Sequence, residues 1–597
     1  MQRISGIFGL ENFSTAEAVE TVSKMLSQGK EISINSEVWS DERNLILGAA
    51  GHSVVDSYSG DSLLLSGEIE NSLELIDHLK SEGVQVENTV LLTALKAWGL
   101  EDTLKKLKGK FSFAWWCAGS EKLVIARDRF GIKPMYWCAE NEKGAIMFAS
   151  EIKTLLASGL ISRKVNKEAL IDYLRYSTVH GPLTIVEGIQ LLEPGCAIEI
   201  QDETVNVLRW WETSKEILIQ DSHSVKDTLL NAVKSKLTGD SPAIYLSGGL
   251  NSITLAAAMS QLSNPPINTF SVAFEGSETS AKNEAHKISK NFATNHTEVS
   301  VTKQSTSKKL HNAIDQMDHP SLNGLRNYFI ATSAKEAGYS TIISDLGCNE
   351  IFGENPLFNT SVQLMKHRWL TSWPRGLRVF AGGLLKTISP GNASNKNAEI
   401  LAGNYFDLEH TYPLARQRIL DNQIKKLTPS IKLTRNRIFY FVADILRVGQ
   451  AAFSLPFLTK VSVLEMGTYL ANTLLRDAHT FNSENDIDFK TPFLDHNFVT
   501  KVLSFNDSVK PSLKEIKENI DPNRAQNHSL SSNKFPWELK LEGIYLDFHA
   551  EGIAALSDLE IFNKKGVDEF DNSSLTSTSQ RLSLSTLGHY FKQNKLS

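Results

Sequence analysis

Over the first 200 or so residues the apolar positions gather in short runs bounded by turn residues. Runs at 63–69, 110–116, 122–127, 145–149 and 196–200 read as strands, and the periodicity of 16–26 reads as a helix. Short strands with helices between them predict an α+β domain of stacked sheets. From about Val225 the pattern changes to helix (225–237), strand (243–246), helix (254–262), strand (269–274), helices (281–292 and 325–337) and strand (341–344). That alternation predicts a doubly wound α/β core around a parallel sheet. Segment 363–472 has a mostly helical pattern, with a Pro/Gly/Ser/Asn-rich loop expected at 389–397. A polar linker at 572–579 precedes an amphipathic helix at 581–592, and no internal repeat is evident.

One stretch admits a second reading, because no residue of 241–274 is charged and a run of that length is long enough to span a bilayer. It also contains Ser247-Gly248-Gly249, Asn251, Gln261, Asn264 and Pro265-Pro266, which interrupt a membrane helix. A strand, a glycine loop, a helix and a second strand are therefore expected, with no membrane association. The length of 597 residues implies at least two domains, and a net charge of −6 gives no reason to expect nucleic acid as a partner. The four cysteines form no Cys-x-x-Cys pair, which suits a reducing compartment. The apolar run before Glu11 is too short for a signal peptide, so a cytoplasmic location is expected.

The chemistry concentrates after the strand that ends at Leu246. Ser247-Gly248-Gly249-Leu250-Asn251-Ser252 followed by a helix start has the form of an anion-binding loop: two glycines let backbone N–H groups converge on a phosphate, and hydroxyls and the helix N-terminus add donors. Further blocks give this loop a context. Ser5-Gly-Ile-Phe-Gly9, Ser66-Gly-Glu-Ile-Glu-Asn71, Ala126-Arg-Asp-Arg-Phe-Gly-Ile-Lys-Pro134 and Phe148-Ala-Ser-Glu-Ile-Lys153 lie upstream. Ser344-Asp-Leu-Gly-Cys-Asn-Glu-Ile-Phe-Gly353, Leu474-Leu-Arg-Asp477 and Pro492-Phe-Leu-Asp495 lie downstream. In this order and nearly end to end, the sequence resembles the asparagine synthetase family. The resemblance implies an α+β glutamine-amidotransferase-like domain of the Ntn-hydrolase type over 1–205. Over 206–597 it implies a doubly wound α/β, adenine-nucleotide α-hydrolase-like synthetase domain with helical additions.

In that family an N-terminal Cys attacks the glutamine amide with its own amine as base; the matching position is Ser5, behind four residues. The family's oxyanion-hole Asn corresponds to Ser66, its substrate-amine Asp to Glu87 and its Arg segment to Ala49-Ala50-Gly51, while Gly67 is kept. In the synthetase half the resemblance implies ATP, which activates a carboxylate as an acyl-adenylate, and Mg²⁺, which carries phosphate charge. Leu246, Ser247, Gly248, Gly249, Ser252, Val272, Ser344 and Asp345 would surround the nucleotide. The two carboxylates expected on Mg²⁺ are Asn251 and Asn349 here; each change removes a charge and keeps a carbonyl oxygen. A base position for acyl transfer is occupied by Leu346, which accepts no proton. Lys534, in Asn533-Lys534-Phe535-Pro536, stands nearest to the family's catalytic lysine segment. Asp488 and Lys490 replace a Glu and an Arg, and His479 an Asp.

Three functional readings follow from the resemblance. The first is an ATP-dependent amide-forming ligase that does not use glutamine, similar to β-lactam synthetases and lasso-peptide cyclases and acting on a small-molecule or peptide carboxylate. The second is a catalytically dead scaffold that binds a nucleotide, a protein partner or an active paralogue. The third is ordinary glutamine-hydrolysing asparagine synthesis. A homodimer is a further expectation from relatives.

Overall fold

In a computed structural model the chain is described over residues 2–28, 36–41, 44–51, 53–201, 204–217, 224–237, 241–263, 266–275, 280–353, 356–389, 391–403, 405–439, 441–442, 455–521, 535–536 and 542–596. The fold divides into two compact units. The first comprises Met1–Asn166, Gly181–Thr213 and Leu474–Ile487, and the second comprises Lys167–His180, Ser214–Thr473 and Asp488–Ser597. Both units are thus discontinuous in sequence, whereas the sequence blocks 1–205 and 206–597 are continuous.

Among its described residues the first unit contains twelve strands, and all of their pairings are antiparallel. They are β1 (Gln2–Phe8), β2 (Ser36–Asp41), β3 (Leu45–Gly51), β4 (Val54–Tyr58), β5 (Asp61–Ile69), β6 (Gly109–Cys117), β7 (Lys122–Arg127), β8 (Tyr136–Cys138), β9 (Ile146–Ala149), β10 (Gln190–Leu191), β11 (Cys196–Gln201) and β12 (Thr204–Arg209). One sheet has the order β10-β8-β9-β1-β3-β2 and the other β12-β11-β7-β6-β5-β4. Strand β6 shows why they stack: Ala114 and Trp116 join Ile4, Leu47, Phe148 and Ile198 in the core between the sheets. The alternate residues Phe111, Phe113 and Trp115 join Leu75, Leu91 and Leu95 of the helices Ser72–Ser81 and Val90–Lys106. On the other outer face Gly48 leaves room for Val22 and Leu26 of the helix Thr15–Ser27; a Cβ there would stand 2.5 Å from Val22 Cγ1. Helices outside two stacked sheets complete the α+β architecture.

Inside this unit, Arg3 is buried on β1 and donates to Glu151 Oε2 (3.0 Å) and Glu484 Oε1 (2.5 Å). Glu484 comes from the helix Leu475–Glu484, late in the sequence.

The second unit holds a five-stranded parallel sheet in the order β15-β14-β13-β16-β17, made of β13 (Ala243–Tyr245), β14 (Asn268–Phe274), β15 (Asn295–Val301), β16 (Thr341–Ile343) and β17 (Asp488–Lys490). Helices Val225–Lys236, Leu250–Leu262, Ser280–Asn291 and Leu322–Glu336 alternate with these strands, as doubly wound connectivity requires. Chain order reverses between β13 and β16, so the loops leaving their carboxyl ends border the switch point where ligands of such sheets bind. The uncharged stretch at 241–274 is the strand–helix–strand unit β13, Leu250–Leu262 and β14, and no described helix is long and apolar enough to cross a membrane.

Two expectations are corrected. Segment 389–397 is helical from Asn392, within the helix Asn392–Ala402, because Ser394, Ala398 and Ile400 of that helix are buried and tertiary burial outweighs the weak helix propensity of the Asn and Ser residues. The final helix starts at Thr578, inside the expected linker, because Ser577 and Gln580 form a capping box that satisfies the first-turn N–H groups.

Candidate active site

Two loops of the second unit build the site. After β13, Leu246 is buried and its N–H donates to the Phe270 carbonyl (2.8 Å). Gly248 then turns with φ +80°, and Gly249 caps the helix Leu250–Leu262. The hydroxyls of this loop bond to one another and to the backbone. Ser247 Oγ lies 3.2 Å from Ser252 Oγ and accepts from the Gly249 N–H (3.3 Å), while Ser252 donates to the Gly249 carbonyl (3.0 Å). Val272 is partly buried on β14.

The second loop follows β16. The Ser344 N–H donates to the Lys490 carbonyl (2.8 Å), and Ser344 Oγ accepts from the Leu346 N–H (3.3 Å). Gly347 has φ +92°, and a Cβ there would stand 2.4 Å from Leu494 Cδ2, so this turn accepts only glycine. The helix Cys348–Phe352 follows and carries Asn349.

The loops meet through the two positions at which the resemblance places metal carboxylates: Asn251 Nδ2 donates to Asn349 Oδ1 at 2.9 Å. A neutral amide pair thus closes on itself where a dication would need anionic oxygens. Mg²⁺ is a hard cation that takes carboxylate and phosphate oxygens. The pair offers no charge, and one of its two carbonyl oxygens already accepts a hydrogen bond, so these residues do not fit Mg²⁺.

Two carboxyls remain, Asp345 in the loop after β16 and Glu350 in the helix Cys348–Phe352 that follows it. Partly buried Asp345 is held above the usual carboxylate range by desolvation, which the Arg326 guanidinium opposes. Glu350 is 2% exposed, and desolvation pushes its carboxyl up to about 7 against the pull of Arg416. Sequence reading passed over Glu350, although an acid directly after Asn349 was visible. Leu346 is partly buried and supplies no titratable group. Lys534 lies outside the described residues; Phe535 beside it packs against Phe274 (5.3 Å between ring centroids), under the Arg326 guanidinium. Asp495 caps the helix His496–Leu503 by accepting the Phe498 N–H (3.1 Å), and Lys490 lies 3.8 Å from Asp488.

In the first unit the positions that the resemblance assigns to a glutamine pocket fall on β1 and β3 of one sheet, on β5 of the other and, for Glu87, between two helices. Ser5 lies mid-strand in β1, paired with Gly48 and Ala149; it is fully buried, and its Oγ has no hydrogen-bond partner. Its nitrogen is a peptide amide, so it lacks the free amine that activates an N-terminal nucleophile. Ser66 is buried on β5 with an unpartnered Oγ. Gly67 has φ +119°, and a Cβ there would fall 2.1 Å from the Lys110 carbonyl oxygen, so both conformation and space favour glycine. Glu87 is exposed and accepts the Tyr58 hydroxyl at 2.5 Å, and Ala49 and Ala50 are buried in β3. His479 belongs to this unit, where burial and the nearby charges of Lys133, Lys110 and Arg127 hold it well below the usual histidine range.

Two stacked antiparallel sheets, together with a parallel α/β sheet carrying a Ser-Gly-Gly loop at its switch point, define a class: a glutamine-amidotransferase-type domain joined to a nucleotide-loop synthetase domain. Comparison with known proteins agrees. Residues 4–211 match the family model for a glutamine amidotransferase domain, and residues 224–518 match that for asparagine synthase. The chain belongs to the asparagine synthetase family. It is 26% identical over 447 residues to a glutamine-hydrolysing asparagine synthetase, numbered 3, of Bacillus subtilis strain 168, covering 68% of this chain and 69% of that one. Asparagine synthetase 1 of the same strain is 23% identical over 491 residues, covering 78% and 74%. The amidase chry2 of Gibberella zeae is 24% identical over 542 residues, covering 80% and 74%.

Proposed function

We propose that this chain keeps the asparagine synthetase fold as a binding scaffold and carries out neither glutamine hydrolysis nor Mg²⁺-dependent adenylation. The observation behind this reading is the 2.9 Å hydrogen bond between Asn251 and Asn349, which ties together the two loops a metal–pyrophosphate group would bridge. The buried, amide-linked Ser5 supports the same reading for the first unit. The Ser-Gly-Gly turn retains the shape of an anion cradle, so a nucleotide bound without turnover, or a protein partner such as an active paralogue, is the expected occupant. Four free cysteines suit work in the cytoplasm.

A second reading has one observation in its favour. Asp345 in the loop after β16 and Glu350 in the helix that follows it are both protonation-prone carboxyls, and a cation arriving there would ionise them. That would be an ATP-dependent amide ligase with relocated metal ligands, independent of glutamine. Calorimetric titration of ATP with and without Mg²⁺ separates the two. The scaffold reading expects an ATP affinity indifferent to Mg²⁺, no pyrophosphate release and no glutamate from glutamine. Tight binding only with Mg²⁺ overturns it in favour of the ligase.

A further inference from the structure

Three helices of the second unit pack together: Lys303–Gln316, Ile544–Ser557 and Thr578–Asn594. Each contributes one metal-ligating side chain to a common point. One nitrogen each of His311 and His589 and one carboxylate oxygen of Glu551 all lie within 4.8 Å of one another.

The hydrogen bonds at the other ring nitrogens fix the tautomers. His311 Nδ1 lies 2.9 Å from the Ser307 carbonyl oxygen, and His589 Nε2 lies 2.7 Å from the Phe548 carbonyl oxygen. A carbonyl only accepts, so both of these nitrogens carry hydrogen, and in the neutral ring the opposite nitrogen presents a lone pair. This is how metal-ligating histidines are normally held, with the second nitrogen anchored to a backbone carbonyl. Ring packing also fixes their planes: His589 stacks on Phe548 with centroids 4.1 Å apart, and His311 meets both rings edge-on. His311 Nε2 then stands 2.9 Å from Glu551 Oε2, a lone pair against a carboxylate oxygen, which is repulsive unless a cation lies between them.

We propose that His311, Glu551 and His589 form a binding site for a divalent metal of the zinc class. Two imidazoles and one carboxylate select zinc, cobalt or nickel over magnesium and calcium, and three protein ligands leave a fourth position open. Donor atoms around a tetrahedral zinc are about 3.4 Å apart, so closing the site takes about 1.4 Å of movement. Glu551 is exposed, so its carboxylate can adjust as the three donors draw in. Glu551 and His589 lie beyond residue 518, where the match to asparagine synthase ends. The metal would therefore clamp the C-terminal helices to a helix of the α/β core, independently of the loops after β13 and β16.

A proton is the competing occupant. Burial alone would lower the His311 pKa, but the Ser307 carbonyl and Glu551 outweigh it and raise the value. The test uses the full chain, stripped of metal with EDTA and titrated with Co²⁺ while its visible absorption is followed. The result expected is one equivalent of Co²⁺ with tetrahedral bands, displaced by Zn²⁺, and an affinity at least tenfold weaker in Glu551→Gln and in His311→Gln. Zn²⁺ raises the unfolding temperature of the native chain and leaves that of the double variant unchanged. Glu551 is exposed, so its substitution does not threaten folding. Substoichiometric Co²⁺ binding, or binding undiminished in both variants, overturns the proposal.

Discussion

Returning the carboxylates to Asn251 and Asn349 separates a metal site from an amide latch through the non-additivity of two substitutions. Asn251→Asp alone leaves the Asn349 amide, once flipped, to donate to a carboxylate; Asn349→Asp alone leaves the Asn251 amide donating to one. Each single variant keeps a charge-assisted hydrogen bond at a partly exposed site and should stay within about 0.5 kcal/mol of the native chain. The double variant sets two carboxylates where the amides now stand 2.9 Å apart. At that distance two unit charges repel by about 1.4 kcal/mol at the dielectric of water and about 6 kcal/mol at an effective value of 20. Asn349 is exposed and Asn251 half-buried, so screening leaves about 1 to 3 kcal/mol. The measurement is chemical denaturation of all four proteins, with EDTA and then with millimolar Mg²⁺. Without metal the double variant should be destabilised by more than the sum of the single variants. With Mg²⁺ it should recover, because the cation binds the folded pair, while the native chain stays unchanged. A double variant as stable as the native chain in EDTA, or a native chain that gains equally from Mg²⁺, would refute the reasoning.

Three other outcomes follow. Glu350 is buried with a carboxyl raised from 4.5 to about 7, so the folded state holds its proton longer than the unfolded chain. Its stabilising contribution is complete below about pH 4.5 and is lost as pH rises through about 7, roughly 3 kcal/mol at most; Glu350→Gln should remove that slope in a denaturation series, and parallel profiles would contradict it. Arg3→Met strips the buried Glu151 of its cation and should cost about 3–5 kcal/mol, with partial recovery on adding Glu151→Gln; a loss below about 1 kcal/mol by urea denaturation would show the pair to be dispensable. Ser5→Cys should release no glutamate from glutamine in a coupled dehydrogenase assay, because the thiol would be buried beside a peptide amide; release above blank would contradict this.

What the sequence disclosed depended on how local each feature is. Strand β7 was readable because its apolar run is continuous and bounded by charge and turn residues, and β13 and β14 because uncharged strands flank a glycine loop. Strands β1 and β3 were missed: both are buried on two faces, so polar–apolar alternation vanishes, and Gly6 and Gly48 dilute the β signal. Edge strand β15, Asn295–Val301, is too polar to stand out. The loops carrying Asn251 and Asn349 were legible as motifs, but the hydrogen bond between residues 98 positions apart was not. The His311, Glu551 and His589 cluster left no sequence signal, since helix packing alone brings distant residues together.

The helix Leu475–Glu484 belongs to the first unit although most of the second unit precedes it in sequence. That order has a consequence for biosynthesis. At about 5–20 residues per second, the ribosome reaches residue 487 about 15 to 55 s after passing residue 213. Throughout that interval Arg3 has Glu151 but not Glu484, and the Lys110, Lys133 and Arg127 charges lack the segment bearing His479. The nascent first unit is begun early and closed late, and the time it stands open to chaperones is set by the length of the unit translated in between.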